Sequence, residues 1–165
     1  MPVFHKQFTI QSCEGPTFHD VSAEIERAVA ESNIDNGIAC VFSQHTTCSV
    51  IIQEEAHDMT YAGTKYLHQV LVNVLERIIP QCRHERQYLH PGPIHIKHAT
   101  ENLGEEAGWS LNTDAHLRSC LMGRSETIPI IDKRLELGEF GRIYFVDFDT
   151  VRQRRRTVHV QLVGE

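Results

Sequence analysis

The sequence predicts an α+β fold, with mostly antiparallel β-sheets in a sandwich-like arrangement and a few packed helices. Strand-like segments outnumber helical ones, and the two kinds do not alternate regularly along the chain. No internal repeat or low-complexity linker divides the chain, so we expect one domain over residues 1–165. The predicted strands span residues 3–10, 37–42, 48–53, 126–131, 142–148 and 156–163.

The first strand and the first helix are predicted from hydrophobic periodicity. Phe4, Phe8 and Ile10 alternate with polar residues, as in a strand with one buried face. Gly15-Pro16 interrupts this pattern, and Asp20 is a candidate helix cap. Apolar residues at helical spacing then predict an amphipathic helix, at Val21, Ile25, Ala28 and Val29.

Two later helices are predicted around a long irregular segment. The first carries an apolar stripe and is stopped by Pro80. The second is short, spans residues 114–122 and ends at Gly123. Residues 81–111 show little periodicity, and loops of this length are often functional or act as lids. The stripe of the first helix consists of Tyr61, Leu67, Val70, Leu71, Val74, Leu75 and Ile78.

Composition narrows the class of protein. The formal net charge is −6, which argues against a general nucleic-acid surface, and the basic run 152–156 fits a strand edge or an anion contact. The five cysteines form no CxxC pair and no signal-peptide pattern is present, so we expect a reduced, cytoplasmic protein. No apolar run approaches the roughly 18 residues of a membrane span.

A polar turn between two apolar strands contains the first candidate site residue. His45, Thr46 and Thr47 separate the strands at 37–42 and 48–53, a candidate hairpin whose loop is too long for a two-residue turn. An imidazole and hydroxyls are useful in a binding or catalytic site, whereas a hydrophobic core does not need them. Taken alone, however, His45 is more simply a residue that bonds the backbone, and the threonines satisfy turn groups.

A second candidate, His116, lies in the first turn of the short helix. The positive end of the helix dipole disfavours imidazolium, and a neutral ring can serve as a metal ligand or general base. The guanidinium of Arg118 could form a bidentate pair of hydrogen bonds with a phosphate or carboxylate. The simpler interpretation is a partly exposed helix histidine.

An open zinc site would need a third protein ligand. His90, His95 and His98 are candidates, and the i,i+3 spacing of the last two suits one helical face. Carboxylates that could orient a histidine or move protons are Glu54, Glu55, Asp147 and Asp149. Cys48 and Cys120 lie near the two key histidines in sequence but are more simply small buried residues.

These residues together resemble the YjbQ-like family, often described as secondary thiamine-phosphate synthases. The resemblance covers nearly the whole chain in order. It rests on residues 44–47 (QHTT), 51–56 (IIQEEA), 112–119 (NTDAHLRS), 121–125 (LMGRS) and 134–144 (RLELGEFGRIY).

The resemblance implies an α+β fold, a homotrimer and a histidine cluster that holds a divalent metal, usually taken as zinc in this family. His45 and His116 match motif positions directly, and Tyr88-Leu89-His90 resembles the unit that contains the third histidine. This chain has extra residues at 92–108, so His95 or His98 could take the place of His90.

The implied activity joins a thiamine pyrimidine diphosphate to a thiazole phosphate and releases pyrophosphate. On this hypothesis His45, His90 and His116 bind the metal, and Glu54, Asp147 and Arg118 are catalytic. Thr46, Thr47, Arg118 and Ser119 would bind the small phosphorylated substrate. The alternative is a non-catalytic small-molecule or metal-binding protein that uses the same histidine pocket.

Overall fold

The computed structural model describes residues 1–165 and confirms the predicted fold class. All strand pairings are antiparallel. The strands are β1 (Val3–Gln11), β2 (Thr17–Asp20), β3 (Gly37–Ser43), β4 (Cys48–Glu54), β5 (Ser125–Ile131), β6 (Arg134–Leu135), β7 (Gly141–Asp147) and β8 (Arg155–Gly164). The helices are α1 (Ser22–Ser32), α2 (Tyr66–Ile78), α3 (Pro93–Leu103) and α4 (Thr113–Met122), with a 3-10 turn at Ala107–Ser110.

Two sheets form the sandwich. The larger has the strand order β1-β8-β3-β5-β6, and the smaller has the order β2-β7-β4. The main core combines alternate residues of both sheets, such as Val41 and Val160 from the larger and Val50 and Phe145 from the smaller. The apolar face of α1 joins this core, as its periodicity predicts.

A second core lies on the other face of the smaller sheet. Tyr144 and Val146 of β7 pack there against Leu75 of α2 and Ala115 of α4. The smaller sheet is therefore apolar on both faces, which explains the unbroken apolar run of β7. None of the helices has both the length and the apolar character that a membrane crossing would require.

The predicted hairpin around His45 is wrong. β3 pairs with β5 and β8 in the larger sheet, whereas β4 pairs with β7 in the smaller sheet. The His-Thr-Thr turn therefore carries the chain from one sheet to the other. Period-two alternation cannot reveal this crossing, because it shows which face of a strand is buried but not which strand is its partner.

The start of one helix differs from the prediction, and one helix was not predicted. α2 begins at Tyr66, and Tyr61 lies before it with a fully exposed side chain. The segment at 81–111 contains α3, which starts with Pro93 at its first position and ends at Gly104 in the left-handed conformation. Ala99 is the one buried residue of α3, so the helix has almost no apolar stripe for periodicity to detect. The short edge strand β2 was also not predicted.

We expect His68 of α2 to make stability depend on pH. Its ring is 4% exposed, stacks on Phe18 with ring centroids 4.2 Å apart, and meets Tyr144 edge-on. Burial, with a smaller contribution from the charge of Lys65, lowers the pKa of His68 to about 4. The unfolded chain takes up a proton here below about pH 6.5, whereas the folded chain stays neutral to about pH 4.

Acidification across this window therefore favours the unfolded state, by roughly 3 kcal/mol at this residue. Urea unfolding at pH 7 and at pH 4 gives the free energy of unfolding at each pH. On going from pH 7 to pH 4, this free energy should fall by roughly 3 kcal/mol less in His68→Phe than in the wild type. The exposed His57 provides the control, because His57→Phe should retain the wild-type pH dependence. An unchanged pH dependence in His68→Phe would contradict this account.

Candidate functional site

A polar cavity of about 350 Å³ lies where both sheets and three further segments meet. These segments are the turn between β3 and β4, the unit formed by α3 and the 3-10 turn, and the N-terminal end of α4. The charged and aromatic residues that line it are His45, His95, His98, Glu105, Trp109, His116, Asp149, Arg154 and Arg156. Thr46 and Thr47 line it as well, so the structure brings both predicted motifs to one place.

Arg156 joins the segments beneath this cavity. Its guanidinium donates to both oxygens of Asp147, at 2.6 and 2.9 Å, and to Thr47 Oγ1 at 2.9 Å. Asp149 Oδ2 lies 3.5 Å from the same guanidinium. Arg156, Asp147 and Asp149 are all buried, so they form a compensated charge network in the interior.

His45 is held by the backbone of β8. The amide of Thr157 donates to His45 Nε2 at 2.9 Å, so the ring proton of neutral His45 lies on Nδ1. Burial lowers the pKa of His45, and the nearby charge of Arg156 lowers it further. The ring is therefore neutral at pH 7, with Nδ1–H as a possible donor and Nε2 already engaged.

His116 connects α4 to the His-Thr-Thr turn. Its Nδ1–H donates to the carbonyl oxygen of Thr46 at 3.2 Å, which leaves Nε2 as a free acceptor or metal ligand. Burial lowers the pKa of His116, partly offset by this hydrogen bond. The position of His116 in the sequence also predicts a neutral ring, but because of the helix dipole rather than burial.

His90 and His95 extend the cluster beside His116. The ring centroid of His90 lies 4.6 Å from that of His95 and 5.8 Å from that of His116. The hydroxyl of Thr113 donates its proton to the His90 carbonyl. The same hydroxyl oxygen lies 2.9 Å from His90 Nδ1 and must therefore accept a hydrogen bond from Nδ1–H. His90 Nε2 is left free. Burial, followed by the neighbouring His95, lowers the pKa of His90.

Two of these histidines have the chemistry of zinc ligands, but their present geometry does not form a metal site. His90 and His116 are neutral, and a hydrogen bond at Nδ1 fixes each ring while its Nε2 stays available. His45 fits less well, because Thr157 already occupies its Nε2. No three His, Cys, Asp or Glu side chains are gathered closely enough in the structure to hold a metal ion as they stand. Loading the site would require a change in side-chain position.

Five predicted site residues do not line the cavity, namely His90, Asp147, Arg118, Ser119 and Glu54. Arg118 is 2% exposed and donates to Glu76 at 2.6 Å and to the Ile79 carbonyl at 2.8 Å. Ser119 is buried, and its hydroxyl donates to the Cys48 carbonyl at 2.6 Å. Glu54 is exposed at the end of β4. Arg118 and Ser119 therefore join α4 to its neighbours.

Asp147 lies beneath the cavity rather than in its wall. It is fully buried, and both of its oxygens accept from Arg156. Cys48 is buried too, and burial raises the pKa of its thiol, which makes it a poor nucleophile. The cavity thus holds histidines, arginines and hydroxyls but no activated thiol.

Trp109, Glu105 and Arg154 were not among the site residues predicted from the sequence. The guanidinium of Arg152 lies 4.0 Å from the Trp109 ring centroid and pairs with Glu105, which holds the 3-10 turn against the chain before β8. Arg154 lines the cavity and pairs with Asp149 at 3.2 Å. Alternation within the arginine run was the available signal, because Arg154 and Arg156 share one face.

Comparisons with known proteins agree with this architecture. The sequence matches the family described as UPF0047 protein YjbQ-like over residues 6–165, and the chain belongs to that family. A UPF0047 protein of Methanothermobacter thermautotrophicus is 28% identical over 160 residues, which cover 97% of this chain and 93% of that protein. One from Methanocaldococcus jannaschii is 30% identical over 146 residues, covering 88% and 84% respectively.

Solved structures show the same fold. An uncharacterised conserved protein of the YjbQ/UPF0047 family from Clostridium acetobutylicum superposes with a TM-score of 0.72 at 25% identity. The match covers 96% of this chain and 99% of that one. A hypothetical protein from Aeropyrum pernix gives a TM-score of 0.71 at 27% identity, with 98% of both chains covered.

We expect Arg118→Met to reduce stability rather than ligand binding. The substitution removes the guanidinium that lies 3.7 Å from Asp114 and leaves this buried carboxylate without its cation. Loss of one partner of a buried pair costs about 3 to 5 kcal/mol. Urea unfolding measures the loss, and the matched control Arg77→Met, at an exposed position of the adjacent helix, should cost little. Wild-type stability with lost phosphate binding would instead support the predicted role in substrate binding.

Proposed function

We propose that this chain is a metal-assisted enzyme that acts on small phosphorylated substrates in the histidine cavity. One observation supports this most strongly: His116 bonds the carbonyl of Thr46, 70 residues away in the sequence, so the two motif segments form one polar pocket. Neutral imidazoles, a guanidinium and hydroxyls together suit metal and phosphate chemistry.

His90, His95 and His116 are the residues that would hold the metal, with zinc favoured by their nitrogen donors. This set replaces the predicted His45 with His95, because Thr157 occupies His45 Nε2. When bound, zinc would polarise a phosphoryl oxygen and stabilise a leaving phosphate. The Nδ1 hydrogen bonds of His90 and His116 would fix the orientation of their rings.

The other residues of the cavity suit a substrate with a phosphate and a planar ring. Arg154 is partly exposed in the wall and can bind a phosphate oxygen. Trp109 has Arg152 over one face of its indole, so its other face can stack on a heterocycle. His45 could donate from Nδ1 to the substrate. Asp147 would then act as a positioning residue through Arg156.

The specific activity we propose is the one that the family resemblance implies. A pyrimidine diphosphate and a thiazole phosphate would join to form thiamine phosphate with release of pyrophosphate. Thr46 and Thr47 lie where they could contact such substrates, and Arg154 would take the role that the sequence argument gave to Arg118.

A non-catalytic binding protein is the second candidate. Its supporting observation is that every carboxylate at the cavity is paired with an arginine, so no free carboxylate is available as a general base. Such a protein would bind the metal or the phosphorylated molecule with the same residues and would not turn it over.

Metal content and turnover test these candidates together. Untagged wild-type protein, purified without added metal, should contain about one zinc per chain. His116→Ala should lose at least tenfold in zinc content and in pyrophosphate release, because it removes one ligand of three. His57→Ala, at an exposed position outside the cavity, should match the wild type in both.

Far-UV circular dichroism shows whether His116→Ala is folded. Stoichiometric zinc in a folded His116→Ala protein would contradict the metal site. Zinc without any turnover of the paired substrates would favour the binding protein.

We also propose that the chain assembles as a homotrimer. The larger sheet exposes Ile38, Phe42 and Ile131, which are large apolar side chains of β3 and β5. Sedimentation equilibrium should give three times the chain mass, and Phe42→Glu should lower it. A single-chain mass for the wild type would contradict this assembly.

A further inference from the structure

A second cavity, of about 320 Å³, shares no lining residue with the histidine cavity. One wall is the edge strand β2, and another is the chain segment that leads into α2. The first turn of α2 and Tyr144 of β7 complete it. Neither the family resemblance nor the proposed function involves this place.

The N-terminus of α2 at this cavity has no cap. No side chain bonds its first turn, and the amides of Leu67 and His68 have no backbone acceptor. The N-cap residue is Lys65, whose side chain cannot accept a hydrogen bond. Free amides at the positive end of a helix favour an anion.

Lys65 adds an unpaired positive charge at the same point. Its Nζ donates to the Tyr144 hydroxyl at 3.1 Å and lies 5.4 Å from the centroid of that ring. The other three lysines of the chain, Lys6, Lys97 and Lys133, each pair with a carboxylate. Lys65 has no such partner, so its charge is available to a ligand.

An unpartnered ring nitrogen of His68 indicates independently that the cavity binds a ligand. The residue lines the cavity and is 4% exposed, yet its Nε2 atom has no hydrogen-bond partner. Two more unpartnered buried atoms, Thr17 Oγ1 and His19 Nε2, belong to residues that line this cavity. Buried polar atoms without partners are rare, and a group of them at one cavity points to a ligand or water.

The remaining walls restrict the ligand. Phe18 and Met59 offer apolar surface. Asp20 also lines the cavity, with one oxygen accepting from the amide of Ser22, and its charge would repel an anion placed near β2. The anionic group of a ligand therefore belongs at the Lys65 end, with its apolar part against Phe18 and Met59.

We propose that this cavity is a binding site for a small organic anion. A carboxylate or phosphate group would bind Lys65 and the free backbone amide of His68, and His68 Nε2–H would donate to a further acceptor. The site binds its ligand and does not transform it, since neither a cysteine nor a serine lines the cavity.

Benzoate and phenyl phosphate are suitable probes, because each joins one anionic group to an apolar ring. In amide NMR titrations of the full-length protein, at least one should give saturable shifts at Leu67 and His68. Tighter binding of benzoate would identify a carboxylate ligand, and tighter binding of phenyl phosphate would identify a phosphate ligand. Benzyl alcohol, which lacks the charge, should bind at least tenfold more weakly.

Matched variants assign the binding to this cavity. Lys65→Met should weaken the stronger probe at least tenfold, whereas Lys133→Met, at an exposed lysine elsewhere, should leave it unchanged. His116→Ala should also leave it unchanged, so the result is independent of the proposed metal site. Absence of saturable shifts with both probes, or equal binding by Lys65→Met, would overturn the proposal.

Discussion

The buried network around Arg156 is the constraint on which the site depends. Arg156 belongs to β8 of the larger sheet, Asp147 ends β7 of the smaller sheet, and Thr47 belongs to the turn that crosses between them. Transferring these charges into the interior is costly, so the network fixes geometry more than it adds net stability. Because Thr47 is bound to it, the adjacent His45 and Thr46 are positioned at the edge where the sheets meet.

The histidine cavity follows from that constraint. With the turn fixed, the carbonyl of Thr46 can accept from His116, and this bond brings the start of α4 to the same place. Burial then lowers the pKa of His45, His90 and His116, so these three imidazoles stay neutral. A cluster of neutral histidines next to guanidinium groups is suited to a metal ion and a phosphate.

The parts that the sequence predicted depend on local pattern. His45 and His116 stood out because polar residues interrupt apolar strands or open a helix, and those contexts are visible within ten residues. The strands were predictable from alternation for the same reason. α3 was missed because a helix that buries only Ala99 has no apolar stripe, and the hairpin was wrong because strand partners are set by distant residues. Arg118 looked like a phosphate ligand, whereas only tertiary structure reveals its partners Glu76 and Ile79.

We propose that His90, His95 and His116 form a metal centre beside this cavity. The most direct test of this proposal is a crystal structure of zinc-loaded protein, with diffraction collected on both sides of the zinc absorption edge. The account predicts one strong anomalous peak per chain, bound by Nε2 of His90 and His116 and by a nitrogen of His95. A peak elsewhere on the surface, or none in the cavity at saturating zinc, would contradict it.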